Sequence, residues 1–105
     1  MKKIFVYGIL QKQHSAKNFD IKDDYYLGRA ILPGYHRTSL TSIFKGKDTD
    51  EVIGDIFSVP DDIEENLNRF ESQFGYSRET TYPIRVDDGK EFETISYLLP
   101  RRHYD

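Results

Sequence analysis

The chain has 105 residues, a formal net charge of -3 and no cysteine. That length suits a single domain over residues 1–105, burying roughly 65% of its unfolded surface, enough for one core and one pocket but not for two independent sites. The absent cysteine excludes a disulfide framework, a thiolate nucleophile and a Cys-based zinc site, and the acidic balance runs against a nucleic-acid binder, which carries a basic excess.

At the N-terminus, MKKIFVYGILQKQH is signal-peptide-like for about six residues, but its apolar run is broken by Tyr7 and Gly8 and falls short of the ~7–15 residues an h-region needs. No stretch approaches the ~18 apolar residues of a membrane span. These features predict a cytoplasmic protein that does not engage membranes. The basic pairs Lys2-Lys3 and Arg101-Arg102 read as solvated decoration.

Lys3 to Tyr7 (KIFVY) is a β-branched and aromatic run ending at Gly8, hence a strand. It lacks clean alternation, as a strand covered on both faces would. Gly8-Ile9-Leu10 leads into a polar segment, Gln11 to Asn18, that reads as a loop or one helical turn. Tyr25 to Leu32 is a second strand, with Gly28 marking a bulge or close approach. Pro33-Gly34 is a turn, Tyr35 to Leu40 continues beyond it, and Ile43-Phe44 precedes the loop KGKDTD. Glu51 to Val59 is the cleanest middle strand, and its Gly54 suggests a bend or bulge.

Pro60 and two aspartates then open a helix, with carboxylates at the positive end of its dipole. Ile63, Leu67, Phe70 and Phe74 recur at helical spacing and form its apolar face, and Gly75 is the stop. At 100° per residue, Glu71 lies about 70° from the middle of that face, at its border, and Glu64 is close to it in angle. Geometry alone does not choose between them, and a border glutamate is ordinarily a solvated helix edge. Tyr76 to Val86 and Glu91 to Leu99 follow as two strands joined at Asp87-Asp88-Gly89, an Asp-Gly hairpin signal.

Five or six short strands with mid-strand glycines and one main flanking helix predict an α+β fold. The expected architecture is a small, mostly antiparallel β-barrel, because closure removes exposed edges. His14, His36 and His103 are scattered and fit no metal frame, so no metal and no cofactor are expected. KDTDEVIGD lacks the order of an EF-hand loop, and no nucleophile elbow or phosphate loop is present. What remains is Tyr7-Gly8-Ile9-Leu10: a glycine leaving a buried strand lets successive N–H groups converge into a nest for an anion. Its plain alternative is that Gly8 ends a strand.

VYGIL, GRAILPGY, EVIGDIFSVPDD, LNRFESQFGYSR and a last strand ETISYLL, in that order, resemble the gamma-glutamylcyclotransferase-like superfamily. The resemblance spans Ile4 to Leu99. It implies a small barrel with flanking helices, a catalytic glutamate at Glu71 and a substrate-binding loop at Tyr7, Gly8, Ile9 and Leu10. Tyr76 and Arg78 match the family's Tyr-x-Arg pair, and Tyr97 the aromatic of the last strand. Three positions depart: Ile9 stands for a small hydroxyl residue, Asn68 for an aspartate and Ser72 for a glycine.

The implied reaction cleaves a gamma-glutamyl amide. The substrate's own α-amine attacks its side-chain carbonyl, giving 5-oxoproline and a free amine, so no protein nucleophile is required. Holding the chain bent recovers roughly 7–11 kcal/mol of barrier, and one carboxylate can move the proton from the α-ammonium to the leaving nitrogen, for ~10²–10⁴-fold. The oxyanion and the substrate's α-carboxylate both need donors, which the Gly8–Leu10 nest would supply. Tyr7, Tyr76 and Tyr97 would line the pocket, or else pack the barrel with hydroxyls at its rim. Arg78 is expected to brace Glu71 or a strand end. The partner implied is a small gamma-glutamyl amine or peptide, with no nucleic acid and an open oligomeric state. The main alternative is a non-catalytic module on the same barrel that binds a small anionic metabolite or nucleotide-like ligand. An oligonucleotide-binding barrel is a third, drawn only from aromatic content and strand count.

Overall fold

Ile4 to Tyr7 form the most apolar run near the start of the chain, and they lie mid-sheet. The computed structural model describes residues 1–7, 23–37, 43–73 and 75–98. Its six-stranded sheet contains β1 (Lys2–Tyr7), β2 (Tyr26–Pro33), β5 (Glu51–Val59), β6 (Ser77–Thr81), β7 (Ile84–Arg85) and β8 (Thr94–Leu98), in the spatial order β6-β8-β1-β5-β2-β7. The intervening β3 (Tyr35–Arg37) and β4 (Ile43–Lys45) form a separate two-stranded ribbon, and the helix α1 (Asp61–Gln73) follows β5. Among the described residues every ladder is antiparallel except β1–β8, which is parallel.

The strand expected over Tyr76 to Val86 is two strands. Pro83 has no N–H to give a ladder, and its carbonyl accepts from Phe92 N–H at 3.0 Å. The chain therefore leaves one sheet edge at Thr81 and joins the other at Ile84. Those residues are at most about 11 Å apart along the chain, so the sheet must curl until its edges nearly meet. No ladder closes the gap among the described residues, so the expected barrel is an open one. The Asp-Gly turn stands where the sequence places it, with Gly89 at φ 69 and Arg85 paired to Asp88 at 2.6 Å.

Curling gives the sheet an inside and an outside. Inside lie Phe5, Tyr7, Ala30, Leu32, Val52, Ile56, Phe92 and Leu98, with Ile43 of the ribbon. The buried hydroxyls of Thr81, Thr94 and Ser96 join this interior and satisfy one another at 2.7–2.9 Å. Outside, Ile4, Val6, Phe57, Val59 and Tyr97 pack against Leu67 of α1. β1 is thus covered on both faces, as its lack of alternation predicts.

Of the two strand glycines, only Gly28 marks a bulge: the β2–β5 register shifts between Tyr26 and Gly28. Gly54 sits in regular register opposite Tyr7. A Cβ there would stand 2.2 Å from the Val6 carbonyl oxygen and 2.6 Å from the Phe5 ring. The glycine serves a close approach between strands. Gly54→Ala should destabilise by about 3 kcal/mol or more, at the upper end of overpacking costs, with chemical denaturation as the measurement. A change under 1 kcal/mol would show that the strands have room to part.

Candidate active site

β5 delivers the chain to the Lys2 end of β1, since Val59 lies opposite Lys2 and Gly54 opposite Tyr7. α1 starts there and runs back along β1 toward Tyr7. Its two buried glutamates, Glu64 and Glu71, are about 10.5 Å apart along the axis, at 1.5 Å per residue. Glu64 consequently lies by the Lys2 end, where the Lys2 charge acts on it. Glu71 lies by the Tyr7 end, where its own charge acts on the Tyr7 hydroxyl. The strand's exit and the helix's last turn meet.

The helix is rolled relative to its apolar face. Its buried residues are Glu64, Leu67 and Glu71, whereas Ile63 and Phe70 are half-buried. That stripe is displaced by roughly 60° from the face that apolar spacing defines. Phe74 lies outside the described side chains. The roll is sustained by what meets Glu64. Arg78 of β6 donates to both of its carboxylate oxygens, at 2.9 and 3.1 Å, and the Tyr97 hydroxyl donates to Oε2. Arg78 thus braces Glu64, not Glu71 as the sequence suggests.

The two carboxyls are pushed in opposite directions. Burial raises the pKa of Glu64, but the Arg78 hydrogen bonds, the Tyr97 hydroxyl and the Arg78 and Lys2 charges outweigh it, and the net pKa is lowered. Glu71 is 8% exposed, and burial lifts its pKa from 4.5 to about 7. The negative end of the helix dipole acts in the same direction on a carboxyl in the last turn. Groups on one element whose surroundings drive their pKa values apart have different roles. Glu64 is a fixed anion in an ion pair; Glu71 is poised to exchange a proton near neutral pH.

The helix ends as its stop signal predicts. Gly75 takes a left-handed φ of 82, its N–H donates to the Ser72 carbonyl at 3.1 Å, and the Tyr76 N–H reaches back to the Glu71 carbonyl at 3.2 Å. This reversal sets Tyr76 beside the end of β1, where its hydroxyl bears on that of Tyr7.

Tyr7 is where the elements converge. Its ring is fully buried and its hydroxyl donates to the Tyr97 carbonyl at 2.7 Å. The hydroxyl also accepts a main-chain hydrogen bond from Ile43 of β4, and the Arg37 guanidinium of β3 lies 5.8 Å from its ring centroid. Desolvation, then the neighbouring Tyr76 and Glu71, push the Tyr7 pKa well above its ordinary range. It is a fixed hydrogen-bonding group that stays protonated.

Tyr7, Tyr76 and Glu71 are therefore brought together, while Arg78 and the Tyr97 side chain turn to Glu64. Tyr97 still contributes its carbonyl to Tyr7. Gly8, Ile9 and Leu10 lie outside the described residues, as do His14 and His103. Sequence reasoning missed Arg37 and Ile43. The alternation in β3 places Tyr35 and Arg37 on one face, but nothing in the sequence carries that ribbon to Tyr7. A mainly polar cleft of about 360 Å³, lined by Lys2, Lys3, Arg78, Thr80 and Glu93 among others, opens at the opposite end of β1. Among the described residues no group of three or more His, Cys, Asp and Glu side chains could hold a metal, and no helix is long and apolar enough to cross a membrane.

Comparison with known proteins agrees with this fold. A protein of Arabidopsis thaliana solved in solution is 27% identical, with a TM-score of 0.73 over 99% of this chain and 67% of its own. A structure described as gamma-glutamyl cyclotransferase is 20% identical, with a TM-score of 0.72 over 94% of this chain and 66% of its own, and establishes likeness of fold. A Homo sapiens protein described as uncharacterized is likewise 20% identical, with a TM-score of 0.71 over 94% of this chain and 66% of its own. The chain thus spans about two thirds of the length of these structures. Among curated proteins none matches the sequence. The model of one family matches residues 4–105, nearly the whole chain. The protein with this buried helix-end glutamate near the Tyr7 end of its first strand belongs to the gamma-glutamyl cyclotransferase, AIG2-like family.

Proposed function

We propose that the protein is a cofactor-free gamma-glutamylcyclotransferase that cleaves a gamma-glutamyl amide to 5-oxoproline and a free amine, with Glu71 as the catalytic acid–base. The observation that carries this reading is the Glu71 carboxyl, buried beside Tyr7 with its pKa lifted to about 7. A base works best with a pKa near the operating pH.

In the proposed reaction Glu71 takes a proton from the substrate's α-ammonium. The freed amine attacks the γ-carbonyl carbon, and the negative charge passes to the carbonyl oxygen. Collapse of that intermediate breaks the bond to the leaving nitrogen as Glu71 returns the proton to it. The ring nitrogen sheds its remaining surplus proton, which ends on the released amine, so that the amine departs as an ammonium. Main-chain N–H groups of Gly8, Ile9 and Leu10, next in sequence after Tyr7, are proposed as donors to the oxyanion. Tyr7 and Tyr76 would wall the site beside Glu71. Arg78 and the Tyr97 side chain act at one remove, by holding Glu64 and so the roll of α1.

Incubating the protein with a panel of gamma-glutamyl amines and dipeptides should release 5-oxoproline in stoichiometric amount with free amine. Tight binding of such compounds without turnover would replace the enzyme by a binding module on the same fold.

A further inference from the structure

The site that Glu71 forms with Tyr7 includes a cation. Arg37 closes the short strand β3, in register with Ile43 of β4. Both residues reach Tyr7: Ile43 through its main chain and Arg37 through its guanidinium over the ring. Nη2 of Arg37 donates to the Ile53 carbonyl of β5 at 3.1 Å, which fixes the side chain against the sheet. A guanidinium within 6 Å of a ring centroid is held by the ring's quadrupole as well. Arg37 is half-buried, so its attraction for an anion is less screened than that of a fully solvated cation. Glu71 and Arg37 therefore set opposite charges to bear on one tyrosine.

Any γ-glutamyl compound carries an ammonium and a carboxylate on the same α-carbon. A site that takes the ammonium with a carboxylate base must also take the carboxylate, or bury it unpaired at a cost. We propose that Arg37 is a substrate-binding residue that takes the α-carboxylate of the γ-glutamyl group while Glu71 takes its α-ammonium. The zwitterionic head is then held by two opposite charges at Tyr7. This rests on the proposed cyclotransferase reading and deepens it by naming what selects the α-amino-acid head. The planar guanidinium suits a carboxylate better than an ammonium would, because it offers two parallel donors.

The test uses two substrates that differ only at that group: a γ-glutamyl amine with its α-carboxylate free, and the same compound with the α-carboxylate converted to a carboxamide. Arg37→Gln is expected to raise KM for the free acid about tenfold or more, the scale of a hydrogen bond to a charged group. It should leave kcat within about twofold, and leave KM for the carboxamide nearly unchanged. Arg37→Lys should restore part of the loss. An equal rise in KM for both substrates, or none for either, overturns the assignment while leaving the cyclotransferase reading intact. Should the parent protein turn over neither compound, that reading fails, and binding of 5-oxoproline followed by amide chemical shifts decides for Arg37. Binding by the parent that Arg37→Gln abolishes supports the anion site; binding that survives the substitution, or none by the parent, overturns it.

Discussion

Glu71→Gln is expected to lower the rate of 5-oxoproline release by about 10²–10⁴-fold, the usual worth of a positioned acid–base group, while making the folded protein more stable at pH 8. The two effects have one cause. Burial lifts the Glu71 pKa from 4.5 to about 7 in the folded state. A carboxyl raised in this way binds its proton more tightly when folded. Its contribution is therefore fully present below about pH 4.5, is lost as pH rises through 7, and leaves a penalty above that. At 1.36 kcal/mol per pKa unit the penalty is about 3 kcal/mol. Glutamine keeps the shape and carries no charge, so the variant should melt roughly 15 °C higher than the parent at pH 8 and together with it at pH 4. Parent kcat/KM should climb with pH and level off above about 7. A variant with parental activity would remove Glu71 from the mechanism, whatever its melting temperature.

Arg78→Met should behave in the opposite sense. The Glu64 carboxylate side chain is 5% exposed and the Arg78 side chain 42%. Truncating the cation leaves a buried charge offset by the Tyr97 hydroxyl and the Lys2 charge, without its main partner. Fully buried pairs lose about 3–5 kcal/mol when one partner goes; here the exposed guanidinium is partly screened, and about 2–3 kcal/mol is expected. Glu64 has a lowered folded pKa, so the pair's stabilisation is present above about pH 4.5 and disappears as pH falls through the lowered value. The cost of Arg78→Met should therefore be full at pH 7 and shrink in acid. Adding Glu64→Gln to Arg78→Met should recover much of the loss, because the uncompensated charge is gone. An additive double variant would mean that the two residues do not act as a pair.

Chain-local signals located the elements but not the roll of the helix. Pro60, the two aspartates and Gly75 bound α1 where they promise to, and Gly75 makes the left-handed turn that only a residue without Cβ adopts easily. The periodicity of Ile63, Leu67 and Phe70 identifies a helix and its general face, yet the buried stripe passes through Glu64, Leu67 and Glu71. What turns the helix is Arg78, 14 residues beyond Glu64, together with Tyr97, 33 beyond it. No local pattern carries contacts at that separation. For the same reason spacing leaves Glu64 and Glu71 equivalent, and only their partners distinguish them. The split at Pro83 was written in the sequence, since a proline inside a strand run marks an edge or an end. The Asp-Gly hairpin signal beyond it masks that reading. Ile43 and Arg37 come to Tyr7 through the separate β3–β4 ribbon, whose placement depends on the curl of the sheet.

Titration of the side-chain carboxyl groups by carbon-13 NMR, with Glu71→Gln and Glu64→Gln spectra to assign the two resonances, bears most directly on this account. Glu71 should titrate at about 7 and Glu64 below 4.5. A Glu71 carboxyl that titrates near 4.5, as a solvated helix edge does, would contradict it.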